Sequence, residues 1–223
     1  MKKLIVYVII FSMFSILFAD NTPSAVILLK KGIVELHRQN ERKAISVGDI
    51  LYNGDELISK DESLAAIRFV DDGAIIKLFS NSILTINTKK EEDKLGKQLY
   101  LEVGELWSKV KKESGSYQVE TPTAVAAVKG TDFLTDVKEN GDTWLFTFQG
   151  VVELKTEKGS VEVGEGETGI AAKDKAPSTR KTEEGEVDEK TKEEIESEIE
   201  SNLMEIEFKD ANGEIRTMKI YYK

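Results

Sequence analysis

The sequence predicts an all-β protein, either a sandwich or a stacked β-roll of short antiparallel strands. Two observations indicate this class. Apolar and polar residues alternate with period two in several short segments, and turn sequences rich in glycine and aspartate separate those segments at roughly 8–12-residue intervals. Between residues 25 and 172 no segment has the 3.6-residue period of an amphipathic helix.

The first 19 residues have the features of a secretory signal peptide. Lys2 and Lys3 precede an apolar run of about 16 residues from Leu4 to Ala19, which is shorter than the ~20 residues of a membrane-spanning helix. Cleavage is expected after Ala19, although Leu17 is larger than the residue preferred two positions earlier. The alternative is an uncleaved anchor. Either outcome places the remaining chain outside the cytoplasm, in the periplasm or the extracellular space.

Residues 25–172 are predicted to form the all-β domain. Two strands show the alternation clearly, and residues predicted to share one face are Leu99, Leu101 and Val103 in one strand and Trp144, Phe146 and Phe148 in the other. Turns are predicted where glycine stands beside an acid, at Gly48, Gly54 and Gly73. The segments 32–49 and 150–165 resemble each other, which indicates either a structural repeat or the ordinary likeness of two hairpins.

The composition changes after Ala172. Residues 173–202 are predicted to be an acidic linker, polar up to residue 185 and then carrying ten acids against two lysines from Glu183 to Glu200. A helix over about 188–202 would align its few apolar residues on one face, and a partly disordered segment is the alternative. Residues 203–223 are predicted to form a β-hairpin with Asn212-Gly213 at its tip.

Composition excludes several functions. The net charge of −10 argues against nucleic acid or an anionic membrane surface as a partner. There are no cysteines, and the one histidine, His37, is expected to be solvated in a polar turn. Thiolate sites and histidine-based triads are therefore not expected, and no cofactor or metal is predicted. Membrane contact is expected only through an uncleaved N-terminal segment.

Several short motifs follow one another in a defined order along the predicted strands. They are Val47–Asp49, Asn53–Leu57, Ser63–Phe69, Asp71–Ala74, Leu99–Leu106, Val119–Ala124, Val128–Phe133 and Gln149–Val152. Their order and spacing resemble those of a FecR domain, over about Gly32 to Leu154. The resemblance implies an exported β module. The best-known members are transmembrane sigma-factor regulators with a cytoplasmic segment ahead of the membrane span. Here the apolar segment begins at Leu4, so that architecture is not expected.

The acidic residues allow two chemical alternatives. Asp49, Asp55 and the pair Asp71-Asp72 carry oxygen ligands that calcium accepts, but their spacing does not follow an EF-hand loop and aspartate beside glycine is ordinary turn chemistry. Two carboxylates could also serve glycan hydrolysis. Neither pattern is specific in so acidic a chain, and the protein is predicted not to be an enzyme.

The candidate contact surfaces are apolar side chains predicted to be exposed. Trp107 shares its strand face with Glu105 and Lys109, so it is predicted to be accessible. The apolar side of the terminal hairpin consists of Ile206, Phe208, Met218, Ile220 and Tyr222. The predicted function is a non-catalytic cell-envelope interaction module that binds a protein or a surface polymer. A structural or assembly role through the hairpin is the alternative, and a carboxylate-based glycan enzyme a more remote one.

Overall fold

The computed structural model describes residues 22–91, 93–197, 203–209 and 215–221. The strands of the main body are β1 (Pro23–Lys31), β2 (Val34–Arg38), β3 (Glu41–Ala44), β4 (Ile50–Tyr52), β5 (Asp55–Ser59), β6 (Leu64–Phe69), β7 (Ile75–Leu78), β8 (Ile83–Glu91), β9 (Lys94–Lys109), β10 (Tyr117–Glu120), β11 (Val125–Val128), β12 (Asp132–Val137), β13 (Thr143–Gln149), β14 (Val151–Thr156), β15 (Gly159–Gly164), β16 (Glu167–Ala171) and β17 (Ser178–Lys181). Helix α1 (Glu189–Glu196) follows, and then β18 (Leu203–Lys209) and β19 (Ile215–Tyr221). The predicted signal peptide lies outside the described residues.

Seventeen strands form two sheets that share β9. The front sheet has the strand order β4-β1-β6-β7-β9-β12-β13-β16-β17. The back sheet has the order β3-β2-β5-β8-β9-β10-β11-β14-β15. Neighbours are antiparallel except β9 and β10, which run parallel. The predicted all-β sandwich is confirmed.

Strand β9 passes from one sheet to the other at Gly104. Up to Val103 it pairs with β8 in the back sheet, and from Gly104 onward it pairs with β12 in the front sheet. Gly104 has φ 93°, and a Cβ at this position would lie 2.7 Å from the Cα of Ser82. A residue with a side chain would be strained at this positive φ, and its Cβ would collide with Ser82, which directly precedes β8. Glycine is therefore required where the sheets join.

The core lies between the sheets. Leu99 and Leu101 are fully buried there, as predicted, and Val103 is half-buried. Tyr117 sits edge-on between Phe69 and Phe133, with ring centroids 6.5 and 6.4 Å away. Its hydroxyl donates a hydrogen bond to the Ser108 Oγ at 2.9 Å. Burial raises the pKa of Tyr117, so this hydroxyl stays protonated and satisfies the polar tip of a core side chain.

The two similar sequence segments occupy equivalent places in the sandwich. In each, a front-sheet strand leads to a hairpin in the back sheet, and the following strand returns to pair with the first: β1 to β4 in one case and β13 to β16 in the other. The hairpins β2–β3 and β14–β15 stand at opposite ends of the described back sheet. The likeness in sequence therefore corresponds to a repeated four-strand unit.

The chain beyond Ala172 is more ordered than predicted. Part of the predicted linker forms β17, which pairs with β16 from Glu167↔Lys181 to Ile170↔Ser178. An edge strand leaves backbone groups unpaired, so a neighbouring polar segment can be recruited to it whatever its composition. The predicted helix begins after its N-cap Asp188, whose Oδ1 accepts from the Lys190 amide at 2.9 Å, and the described helix ends at Glu196. Residues 198–202 lie outside the described residues.

The two terminal strands, β18 and β19, pair antiparallel, with Ile206 opposite Met218 in the register. Within the described ranges, no helix is both long enough and apolar enough to span a membrane.

Candidate functional site

The outer face of the front sheet carries a continuous row of large and charged residues. Its members are directly paired neighbours on six adjacent strands: Lys77, Trp107, Leu134, Phe146, Thr168 and Arg180. Side chains alternate across a strand, so the residues next to the core positions project onto this face. We call this set the outer row.

Trp107 is buried, contrary to the prediction that it is accessible. Only 5% of its surface is exposed, and its Nε1 donates a hydrogen bond to Asp132 Oδ1 at 2.5 Å. Burial raises the pKa of Asp132, an effect opposed by that hydrogen bond. The strand alternation correctly placed Trp107 away from the central core. It could not show that a later part of the chain covers this face.

The aromatic residues of β13 differ in how far they are covered. Trp144 and Phe146 lie next to each other, with ring centroids 6.4 Å apart, and join the cluster around Trp107. They belong to the outer face of the front sheet, whereas Leu145 between them enters the central core. Phe148 shares their parity but is 38% exposed. The shared face is confirmed for Trp144 and Phe146.

The segment 183–197, which we call the strap, covers much of the outer row. Val187 and Ile195 are its apolar contacts, and they pack on a cluster consisting of Leu64, Phe79, Trp107, Leu134 and Phe146. At the start of the strap, Arg180 binds both carboxylate oxygens of Glu186, one of them at 2.9 Å. This hydrogen bonding lowers the pKa of Glu186 to about 2, so the pair remains charged at neutral pH.

Lys77 anchors the end of the strap. Its side chain is almost completely buried, and its Nζ donates to the carbonyl oxygens of Ile195 at 3.2 Å and Ser197 at 2.9 Å, as well as to that of Glu194. The same ammonium lies 5.4 Å from the centre of the Trp107 ring. Burial lowers the pKa of Lys77, while nearby Glu194 acts in the opposite direction. A cation at this point satisfies the unpaired carbonyls and the negative end of the helix dipole.

Two further polar contacts hold the middle of α1. Thr191 donates from its hydroxyl to Glu105 Oε2 at 3.0 Å, and Lys31 forms an ion pair with Glu194 at 2.8 Å. Burial, followed by the charge of Asp136, raises the pKa of Glu105. The strap is thus held mainly by polar contacts, with two apolar side chains beneath it.

The strap leaves space beside it. A cavity of about 520 Å³ lies between α1 and the sheet, and its lining includes the apolar side chains of Leu64 and Phe79 together with Glu105, Thr191 and Glu194. The cavity meets the Trp107 cluster only at its edge, because Leu64 and Phe79 are 4% and 7% exposed.

A second groove of about 700 Å³ lies on the outer face of the back sheet, between β10, β11 and β14 and the segment 172–175. Its floor includes Val125 and Ala127, and its rim mixes lysines and acids: Glu153, Lys155, Glu157, Lys158, Lys173, Asp174 and Lys175. The mixed charge does not select one ligand class.

The carboxylates considered for calcium are engaged with basic side chains. Lys97, whose side chain is 0% exposed, donates to Asp71 Oδ2 at 2.8 Å and Asp72 Oδ2 at 2.6 Å. Burial works against ionisation of Asp72, but hydrogen bonds from Lys97, a backbone amide and a serine outweigh it, so the pKa of Asp72 is lowered. Asp55 pairs with Arg38 at 2.7 Å. Among the described residues, no group of three or more potential ligands is placed to hold a metal ion.

His37 does not lie in a polar turn. It is part of β2 and opposite Glu56 of β5, and its Nδ1 is 2.9 Å from Glu56 Oε1. The sequence around His37 is polar because this strand lies near the end of the back sheet, where alternate side chains reach solvent.

The hairpin residues proposed for contact lie on β18 and β19, apart from Tyr222. Tyr222 and the side chains of the other four lie outside the described part of the chain. The contact role of Ile206, Phe208, Met218, Ile220 and Tyr222 stays a prediction.

The fold and the outer row together define an all-β sandwich module with a covered aromatic face. Residues 55–153 match the family model described as FecR protein, which confirms the resemblance predicted from the motif order. The matched range lies within the segment Gly32 to Leu154 that the motif order predicted. It includes the outer-row residues Lys77, Trp107, Leu134 and Phe146, so most of the covered face lies within the matched range.

Solved structures with a similar fold include two crystal structures of a protein from Parabacteroides distasonis ATCC 8503, each described as a "putative anti-sigma factor". They are 17% and 16% identical to this chain, with TM-scores of 0.52 and 0.51, and each comparison covers 66% of this chain and 67% of the other. The likeness shows a shared fold. No curated protein matches the chain.

Proposed function

We propose that this protein is a non-catalytic regulatory module of the cell envelope that binds a partner protein outside the cytoplasm. The observation that carries the proposal is the match of residues 55–153 to the FecR family model. Phe148 is 38% exposed, and exposed aromatic side chains are enriched in protein contact surfaces.

A protein partner is favoured by the fold neighbours, which are described as anti-sigma factors and so as proteins that act through protein contacts. The sequence of residues 1–19 supports export, because a basic head precedes a short apolar run. The non-catalytic part of the proposal is supported by the buried carboxylates Asp72 and Asp55, which are engaged in ion pairs with Lys97 and Arg38.

Cross-linking in the native cell tests the proposal. A photoreactive phenylalanine analogue replaces Phe148, which is partly exposed at the end of the aromatic face and has the same ring. The matched control carries the analogue at Tyr100, which lies half-buried on β9 in the back sheet. We expect a discrete adduct from position 148 in the envelope fraction and none from position 100.

Two results would overturn the proposal. One is the absence of any adduct from position 148 together with retention of the protein in the cytoplasm. The other is turnover of a substrate by the purified protein, with the activity lost on changing a single acidic residue.

A further inference from the structure

We propose that the strap is a pH-sensitive latch: helix α1 packs most firmly on the front sheet in mildly acidic solution and loosens as the solution becomes neutral or slightly alkaline. The proposal concerns how the covered face is regulated, and it does not depend on the identity of a partner. Three features of the contact support it: the like charges that meet across the cavity, the position of Glu105 beneath α1, and the firm attachment of the strap at its first residues.

Carboxylates from both sides line the cavity between α1 and the sheet. The strap contributes Asp188 and Glu194 to the lining. The acids on the side of the sheet and its turns are Asp61, Glu62 and Glu105. Against these acids the lining holds two lysines, Lys31 and Lys190, and Lys31 is paired with Glu194 at 2.8 Å. Docking of α1 therefore brings like charges close together when these acids are ionised, and that repulsion opposes docking.

Glu105 is an acid of this lining that α1 contacts directly. Its Oε2 accepts a hydrogen bond from the Thr191 hydroxyl at 3.0 Å. On the sheet it stands opposite Asp136 of β12, which pairs with Lys138 at 2.5 Å. Burial is the largest cause of the raised pKa of Glu105, and the charges of Asp136 and Asp188 add to it, whereas Thr191 and Lys138 oppose it. Because the strap supplies the Asp188 charge and covers the carboxyl group, it docks more tightly on protonated Glu105.

The sign of the pH dependence follows from the raised pKa of Glu105. Protonated Glu105 stabilises docking fully below the ordinary glutamate pKa of ~4.3, and this contribution is lost as pH rises through the raised value. Two other groups limit the range. Ionised Glu194 favours docking through Lys31, so docking weakens in strongly acidic solution. Burial lowers the pKa of Lys77, so its titration in alkaline solution acts in the opposite sense to that of Glu105.

The first residues of the strap stay attached throughout this range. Arg180 binds both carboxylate oxygens of Glu186, and the pKa of Glu186 is lowered to about 2, so the pair remains charged. Val187 packs next to this pair in the chain, on the cluster around Trp107. Helix α1 has eight residues, and a helix of that length is marginal without tertiary contacts. Loosening therefore begins in α1 while the chain stays tethered at Glu186.

Hydrogen exchange of the purified full chain at pH 5 and pH 8 tests the latch. The readout is the protection factor, which is corrected for the intrinsic pH dependence of exchange, for the amides of residues 192–197. These include the Lys192 amide, which donates to the Asp188 carbonyl, and the Ser197 amide, which donates to that of Glu193. We expect their protection to fall about threefold or more from pH 5 to pH 8, while the amides of β9 and β12 keep theirs.

Glu105→Gln is the decisive variant, because glutamine keeps an acceptor for Thr191 and does not ionise. We expect it to show the same high protection of residues 192–197 at both pH values. Glu102→Gln makes the same change at an exposed site in the back-sheet half of β9, and it should behave like the unmodified chain. Histidine ordinarily changes charge in this pH range, and His37 lies in the back sheet. A fall caused by His37 would persist in Glu105→Gln.

The inference is overturned if the unmodified chain protects residues 192–197 equally at pH 5 and pH 8, or if Glu105→Gln shows the same fall as the unmodified chain. It is also overturned if Glu102→Gln removes the fall, or if β9 and β12 lose protection in parallel, which would indicate unfolding of the whole domain. These measurements involve no partner, so their outcome is separate from the cross-linking test of the proposed function.

Discussion

Replacing Lys97 by methionine should be among the most destabilising changes in the protein. Lys97 is fully buried and stands between Asp71 and Asp72, each only 9% exposed. Methionine keeps most of the hydrocarbon stem and chiefly removes the ammonium, which lies 5.3 Å from the centre of the Phe69 ring. Two carboxylates would then remain desolvated without this cation.

Breaking a buried ion pair by removing one partner costs about 3–5 kcal/mol. Each carboxylate keeps one backbone donor: the Leu95 amide donates to Asp71 at 2.9 Å, and the Ala74 amide donates to Asp72 at 2.8 Å. Because these hydrogen bonds remain, we expect a cost at the lower end of that range. We therefore expect Lys97→Met to lower the free energy of unfolding by ~3 kcal/mol at pH 7. Urea unfolding followed by tryptophan fluorescence measures this value.

The sign of the pH dependence gives a second check. In the natural chain the pKa of Asp72 is lowered, so its contribution is present above the unfolded value of ~3.9 and is lost as pH falls through the folded value. In Lys97→Met, burial is no longer offset and the pKa of Asp72 should rise. The penalty should then be largest near neutral pH and smaller at about pH 4.5.

Two comparisons make this prediction refutable. Lys43→Met, at an exposed pair with Asp49, should change stability by less than ~0.5 kcal/mol. Changing Asp71 and Asp72 to asparagine together with Lys97→Met should cost less than Lys97→Met alone. A Lys97→Met penalty below ~1 kcal/mol, or one that does not change with pH, would refute the reasoning.

Three further predictions concern the sheet junction, the core and the strap. Gly104→Ala should cost ~3 kcal/mol or more, whereas Gly54→Ala, also at positive φ but with open space around it, should cost about 1 kcal/mol in the same urea titration. Tyr117→Phe should cost about 1–2 kcal/mol, and a double-mutant cycle with Ser108→Ala should show coupling; additive effects would contradict the hydrogen bond. Because the pKa of Glu105 is raised, ionisation of this group destabilises the fold as pH increases. Glu105→Gln should therefore gain thermal stability over the natural chain at pH 7 and lose that advantage at about pH 4; equal melting temperatures at pH 7 would count against it.

Local sequence chemistry predicted the parts of the fold that depend on neighbouring residues. Alternation identified the core positions Leu99 and Leu101, and glycine beside an acid marked positive-φ turns at Gly48 and Gly54. The start of helix α1 after Asp188 also follows from the local spacing of apolar residues and from N-capping by Asp188. Each of these features involves contacts within a few residues, so the sequence contains the necessary information.

Other features depend on residues far apart in the chain. Sequence parity placed Trp107 correctly on the face opposite the core, but its cover comes from the strap some 80 residues later. The strand β17 formed in a segment with linker composition, because the edge of β16 supplied backbone partners. The polar sequence around His37 predicted a turn. In the structure His37 lies in a strand, where strand pairing brings the distant residue Glu56 next to it.

By itself, the sequence determined the class of this protein: an all-β fold whose motif order resembles that of a FecR domain, with turns where glycine and aspartate meet. The alternation of apolar and polar residues and the turn sequences are local features, so they are the same for any arrangement of the strands. Only the tertiary structure decided which outer face is covered and what holds the cover. Lys77 meets the end of the strap across 120 positions of sequence, and Thr191 meets Glu105 across 86. Such contacts arise when the sheets have assembled, because burial and charge pairing depend on where distant segments come together.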